Sequence, residues 1–210
     1  MGIDVRIEKG KSRVFAIAVD WPGWARSAKD EAGAIDALIE YGPRYKAAVK
    51  KRIALPKSTD DVRVVERVKG DGNTDFGVPG SVKSDADTVT AAELTKLLSI
   101  LEASWAAFDD AVNKAKGKAL AKGPRGGGRA LAKIVDHHDE DGLRGYVNKV
   151  GGDAKAPDVR TEFLEAVEAR NRGDLPDKGP RGGSRWTAKE AIRRAAWHAL
   201  DHAWEIEDRS

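Results

Sequence analysis

The run Trp197-His198-Ala199-Leu200-Asp201-His202-Ala203-Trp204-Glu205 decides how this chain is read. It sits in an amphipathic stretch, and Trp197 and Trp204, seven residues apart, share one face and fit core packing. His198 and His202 lie one helical turn apart on the same side and can share a single ligand. Only four histidines occur in 210 residues, and the other two, His137 and His138, stand side by side in an earlier stretch with helical apolar spacing. The expectation is a three-histidine metal site inside a set of packed helices.

Working outward from that run, Leu94, Leu97, Leu98, Leu101, Trp105 and Phe108 trace one stripe of a long helix. Helices are expected near residues 90–116, 128–150, 158–171 and 186–206. Pro157 and Asp158 open the third, and Thr187-Ala188-Lys189-Glu190 offers a capping-box pattern at the fourth. Four helices with short connections form a four-helix bundle, assigned to residues 86–210. Residues 1–85 are patterned differently. Ile3, Val5 and Ile7 alternate along one strand, Phe15, Ile17 and Val19 along a second, and Gly10 between them fits a hairpin. A turn over Asp20 to Trp24 leads to a helix from Glu31 to Tyr41, which Pro43 is expected to end. A further strand over Val62 to Val68, followed by the turn Lys69-Gly70-Asp71-Gly72-Asn73, completes a small α+β unit concerned with packing or recognition. The fold class is therefore mainly α, a bundle preceded by a small α+β N-terminal unit.

Composition narrows the chemistry. The absence of cysteine excludes disulfides, thiolate ligands and a cysteine nucleophile, so any metal must be held by imidazole and oxygen. No apolar run approaches the roughly 20 residues of a membrane span, and the N-terminus lacks a signal-peptide core. A cytoplasmic location is the expectation. The formal charge of +3, from 37 basic and 34 acidic residues, is nearly balanced and argues little for nucleic acid.

One octapeptide recurs: Lys122-Gly123-Pro124-Arg125-Gly126-Gly127-Gly128-Arg129 returns as Lys178-Gly179-Pro180-Arg181-Gly182-Gly183-Ser184-Arg185. Each copy precedes a histidine-bearing helix. It reads either as a solvated flexible loop or as an anion cradle, in which glycine-rich backbone and Arg125 or Arg181 receive a phosphate or carboxylate. Neither copy matches a Walker or dinucleotide fingerprint. His138 lies 13 residues after Arg125, whereas His198 and His202 lie 17 and 21 after Arg181, so the offsets differ by fours. His138 also continues the stripe Leu131, Ile134, Val135, Tyr146, while His137 is rotated by about 100° toward the flank. His138 is therefore the favoured third ligand, with His137 kept for a supporting or surface role.

Three imidazoles leave at least one coordination position open, the pattern of a catalytic site. Zinc is the first expectation, with nickel, iron or cobalt allowed by all-nitrogen ligation. Asp201 and Glu205 are placed to orient an imidazole or act as a general base.

With these residues in place, the chain resembles the DinB-like superfamily of four-helix bundles with a histidine triad. The likeness rests on His138 in the second bundle helix and the His198-x-x-x-His202 pair within Trp197–Glu205, and covers roughly residues 88–210. Ile134 to Gly151, with Tyr146 eight residues after His138, is similar to the family's second helix. The resemblance implies a divalent metal, commonly zinc or nickel, at one end of the bundle. For some members it implies transfer of a low-molecular-weight thiol to an electrophile. The adjacent His137 and the N-terminal extension depart from the family pattern. Within that extension, Arg13 to Asp20, Pro22-Gly23 and the helix at Glu31 resemble a HicB-like strand, turn and helix unit.

The expectation is thus a metal-dependent thiol transferase or hydrolase, with His138, His198 and His202 as ligands, Glu205 and Asp201 in catalytic support, and Arg125 and Arg181 steering an anionic co-substrate. Its partner is a small molecule such as a low-molecular-weight thiol, without membrane or nucleic acid, and a homodimer is left open. The rival is a non-enzymatic binding module whose Gly-Pro-Arg-Gly-Gly loops grip an anionic partner.

Overall fold

The computed structural model describes residues 2–123 and 128–210, and the chain divides into two compact units, Met1–Ser84 and Asp85–Ser210. Among the described residues, no helix is long and apolar enough to cross a membrane.

The first unit is built on a four-stranded sheet of β1 (Ile3–Lys9), β2 (Val14–Ala18), β3 (Ala25–Ala28) and β4 (Val62–Lys69) in the order β3-β2-β1-β4. β1 and β2 form the expected hairpin, closed by the Gly10 amide on the Arg13 carbonyl at 2.8 Å, while β4 runs parallel to β1. Every residue of β2 is buried, so the alternation read from Phe15 and Ile17 understates a strand enclosed on both faces. β3 was not legible, because its short sequence Ala-Arg-Ser-Ala carries no apolar alternation. Ahead of it, Trp24 is fully buried, stacks on Tyr45 at 5.1 Å and donates its indole N–H to the Leu38 carbonyl at 2.9 Å. The turn is therefore an anchor for the helix α1 (Glu31–Glu40), capped by Asp30 on the Gly33 amide at 2.8 Å. Pro43 does not close that helix but occupies the first turn of a second, α2 (Gly42–Val49), where its missing N–H has no partner to lose. The expected turn after β4 contains a short helix, α3 (Gly72–Phe76), held by a capping box between Asp71 and Thr74.

The second unit is helical throughout: α4 (Ala91–Ala115), α5 (Leu131–Asp136), a π-helical turn (His137–Leu143), α6 (Arg144–Val150), α7 (Val159–Arg172) and α8 (Ala188–Arg209). The segment expected as one helix over 128–150 thus consists of two α pieces joined by the wide turn. Caps start the longer helices: Thr90 and Glu93 form a reciprocal box at α4, Asp158 takes the Thr161 amide at α7, and Thr187 takes the Glu190 amide at α8. At α8 only the forward half of the box forms, and the Thr187 hydroxyl also donates to the Asp85 carbonyl.

One apolar core joins these helices. α4 contributes Leu101, Trp105 and Phe108, the middle segment Ile134, Leu143, Val147 and Val150, and α7 Phe163 and Val167. α8 contributes Ile192 and Ile206 with a seam of buried alanines that lets it lie close along α4. Each large side chain removed from water here is worth about 1.5–3 kcal/mol. A buried ion pair fixes α8 near its start, Arg193 meeting Asp85 through two bonds of 2.7 and 3.0 Å.

Candidate metal centre

α8 presents His198 and His202 on one buried face, with their Nε2 atoms 3.1 Å apart. The π turn faces them with His137, whose ring stands 5.1 Å from that of His198 and 5.2 Å from that of His202, nearly perpendicular to both. The ligand nitrogens of His137, His198 and His202 all lie within 4.8 Å of one another, and the group could hold a metal ion. Tetrahedral Zn–N bonds of about 2.0–2.1 Å place nitrogens about 3.3 Å apart, so the His198–His202 pair already has the right spacing and His137 needs only a modest side-chain shift.

The group that could hold an ion includes His137, where the sequence reading favoured His138. His138 is buried, as its place on the stripe required, but that stripe leads into the core. Its ring stacks on Phe108 at 4.1 Å, and its Nδ1 pairs with Asp139 at 2.7 Å. It contacts His198 only ring to ring, at 5.3 Å. The flank to which His137 was assigned is the side that meets α8. The offset count also assumed equivalent loops; counted instead from the helix starts at Leu131 and Ala188, it is His137, His198 and His202 that are spaced by fours.

Gly142 in the π turn lies directly against His198: a Cβ there would stand 2.4 Å from the ring Cε1 and 2.7 Å from Nδ1. Any other residue would push this ring out of place. Two of the three rings are oriented from behind by carboxylates. His202 Nδ1 meets Glu205 at 2.9 Å, and His137 Nδ1 approaches Asp141 at 3.4 Å. Such bonds fix the tautomer that leaves Nε2 as the donor to a metal. Glu205 is itself held by Arg209 at 2.5 Å, and Arg209 is clamped by the carbonyls of Ala121 and Arg129, each at 2.8 Å. Gly128 allows this approach, since a Cβ there would fall 2.4 Å from the Arg209 guanidinium.

The hydrogen bond from His202 is the largest influence on Glu205 and lowers its pKa despite burial, keeping the carboxylate ionised. Burial lowers His138 and His137 as well, the latter with help from Arg129. His198 is pushed down to about 2, by burial first and then by the three neighbouring imidazoles. His137, His138 and His198 are therefore neutral at physiological pH, the form in which imidazole binds metal. Tyr146 and Trp197 border the site, with rings 5.7 and 6.1 Å from His198. Burial raises the Tyr146 phenol to about 12.

Asp201 is half-buried on α8 and does not join the ligand group. Arg125 lies outside the described residues. Arg181 lines a separate cavity formed by the second glycine loop. Asp141, Gly142 and Arg209 escaped the sequence argument. Asp141, four residues after His137, carried a signal in its spacing, whereas Gly142 and Arg209 depend on contacts no local pattern encodes.

Comparison with protein-family models, with curated proteins and with solved structures found no match to this chain. The functional argument therefore rests on the geometry of the site.

Proposed function

We propose that this protein is a divalent-metal-dependent enzyme of the DinB-like type, with zinc or nickel held in a four-helix bundle by His137, His198 and His202. The observation that carries this is the convergence of three imidazoles, two of them backed by carboxylates. Carboxylate-backed histidines with no fourth protein ligand among the described residues suit a site that leaves room for a reactant. Bound there, the metal supplies Lewis acidity that makes a thiol or water a better nucleophile at neutral pH.

The residues have separable tasks. Glu205 and Asp141 hold the rings of His202 and His137, and Gly142 gives the His198 ring its room. Tyr146, Trp197 and the buried helix faces restrict water on the His198 side. The fitting reactions are transfer of a low-molecular-weight thiol, in which a C–S bond forms as the electrophile loses its leaving group, or hydrolysis by water. With no cysteine in the chain, the thiol is a substrate.

Metal content of untagged protein, purified without chelator, tests this. Near-stoichiometric zinc or nickel is expected, lost in His137→Ala and His202→Ala and kept in His138→Ala. His138→Ala should instead lower stability by about 2–3 kcal/mol through the cavity beside Phe108. Metal lost with His138 but kept without His137 would overturn the ligand assignment, and a protein that takes up neither ion would overturn the function.

A further inference from the structure

The two glycine-rich copies have different fates. The first ends at Gly128 and Arg129, which close on Arg209. The second folds back on itself: the Gly179 amide donates to the Gly183 carbonyl at 2.8 Å, the Gly182 amide to Gly179 at 2.9 Å, and Lys178 and Ser184 form a bridge. The loop is fastened to the C-terminal end of α6, with Arg185 Nη1 donating to the Asn148 carbonyl and the Trp186 amide to that of Lys149 at 3.0 Å. Between loop and helix lies a cavity of about 270 Å³, lined by Asn148, Lys149, Gly179, Arg181, Ser184 and Arg185.

Three cationic side chains and no carboxylate border this cavity. Several other arginines of the unit are matched: Arg160 by Asp109, Arg170 by Asp177, Arg193 by Asp85 and Arg209 by Glu205. Arg181, Lys149 and Arg185 take part in no ion pair among the described residues, although Lys149 lies 6.0 Å from the Trp186 ring and is felt electrostatically by Glu190. Three like charges gathered around one cavity, with no carboxylate in its lining, repel one another, so the arrangement favours an anion that neutralises them. We infer that the cavity is a phosphate-binding site, separate from the metal centre and independent of the function proposed for it. Arg181 supplies a guanidinium fork, Lys149 a point charge and Ser184 a hydroxyl donor, a set suited to a tetrahedral dianion.

Calorimetric titration of the full-length protein with inorganic phosphate, against chloride at matched ionic strength, tests the site. Saturable 1:1 binding is expected, weakened about tenfold or more in Arg181→Ala and in Lys149→Ala, as befits loss of a charge-assisted bond. Both side chains are exposed, so circular dichroism and melting temperature should stay at wild-type values. His137→Ala should bind phosphate as wild type does, which separates this site from the metal centre. Tighter binding of a simple phosphomonoester assigns the cavity to a phosphorylated small molecule, and equal binding to free phosphate. The inference is overturned if phosphate behaves like chloride, if neither cavity variant weakens it, or if His137→Ala abolishes it.

Discussion

Glu205 stands between a ligand and an anchor, bonded to His202 on one side and Arg209 on the other. Replacing it with glutamine keeps an oxygen for the His202 ring but removes the charge that holds the guanidinium and polarises the imidazole. Glu205→Gln should weaken metal binding about 10–100-fold, the usual cost of losing such a supporting carboxylate, while helix content is retained. Competition against a chromophoric chelator would show it, and unchanged affinity would mean that Glu205 serves only the Arg209 clamp. At this scale the sequence was informative where a rule of spacing sufficed. The i, i+4 pair His198 and His202 follows from helix geometry alone. The choice between His137 and His138 does not, because adjacent residues differ by about 100° and the apolar stripe does not say whether it faces the core or the pair on α8.

Among the elements, α4, α7 and α8 were legible because their apolar stripes run with an unbroken 3.6-residue period and their caps are written in Thr90, Asp158 and Thr187. The middle segment was legible only as a helix. Its large buried side chains step from Ile134 to His138 by four, then from His138 to Leu143 by five, and the π turn absorbs the extra residue so that both halves face the core. The first turn of α8 holds a different strain. Burial, and secondarily Asp85, raise the pKa of Glu190 above the ordinary carboxylate range. The folded state therefore binds this proton more tightly than the unfolded chain, so stability falls as pH rises through the unfolded and then the folded value, and stays lower above both. Glu190→Gln removes the penalty. Urea denaturation should find the variant more stable than wild type at pH 7, with the gain gone near pH 4. A gain of equal size at both values would contradict the assignment.

At the scale of the whole molecule, the chain divides beside a buried ion pair. The sequence pattern placed the boundary after residue 85, but Asp85 belongs with Arg193, and the structure divides the chain at Ser84. The three clustered histidines and their supporting carboxylates all fall in the second unit. A fragment of residues 85–210 should therefore bind metal with the stoichiometry of the full chain. A fragment starting at residue 88 should lose about 3–5 kcal/mol, because Arg193 is left buried without its partner. Thermal melts with and without metal would separate the two, and equal stability of both fragments would show that Asp85 contributes nothing. α8 crosses all of these features: Arg193 is pinned near its start, Arg209 is clamped at its end, and the ligand pair lies between. A rod fixed at both ends has no slack. One residue inserted or removed between Arg193 and His198 would displace the ligands by about 1.5 Å and 100° relative to the pin. The facing segment took in its extra residue by widening a turn, but α8 has nowhere to do so, and through evolution it can change its letters far more freely than its length.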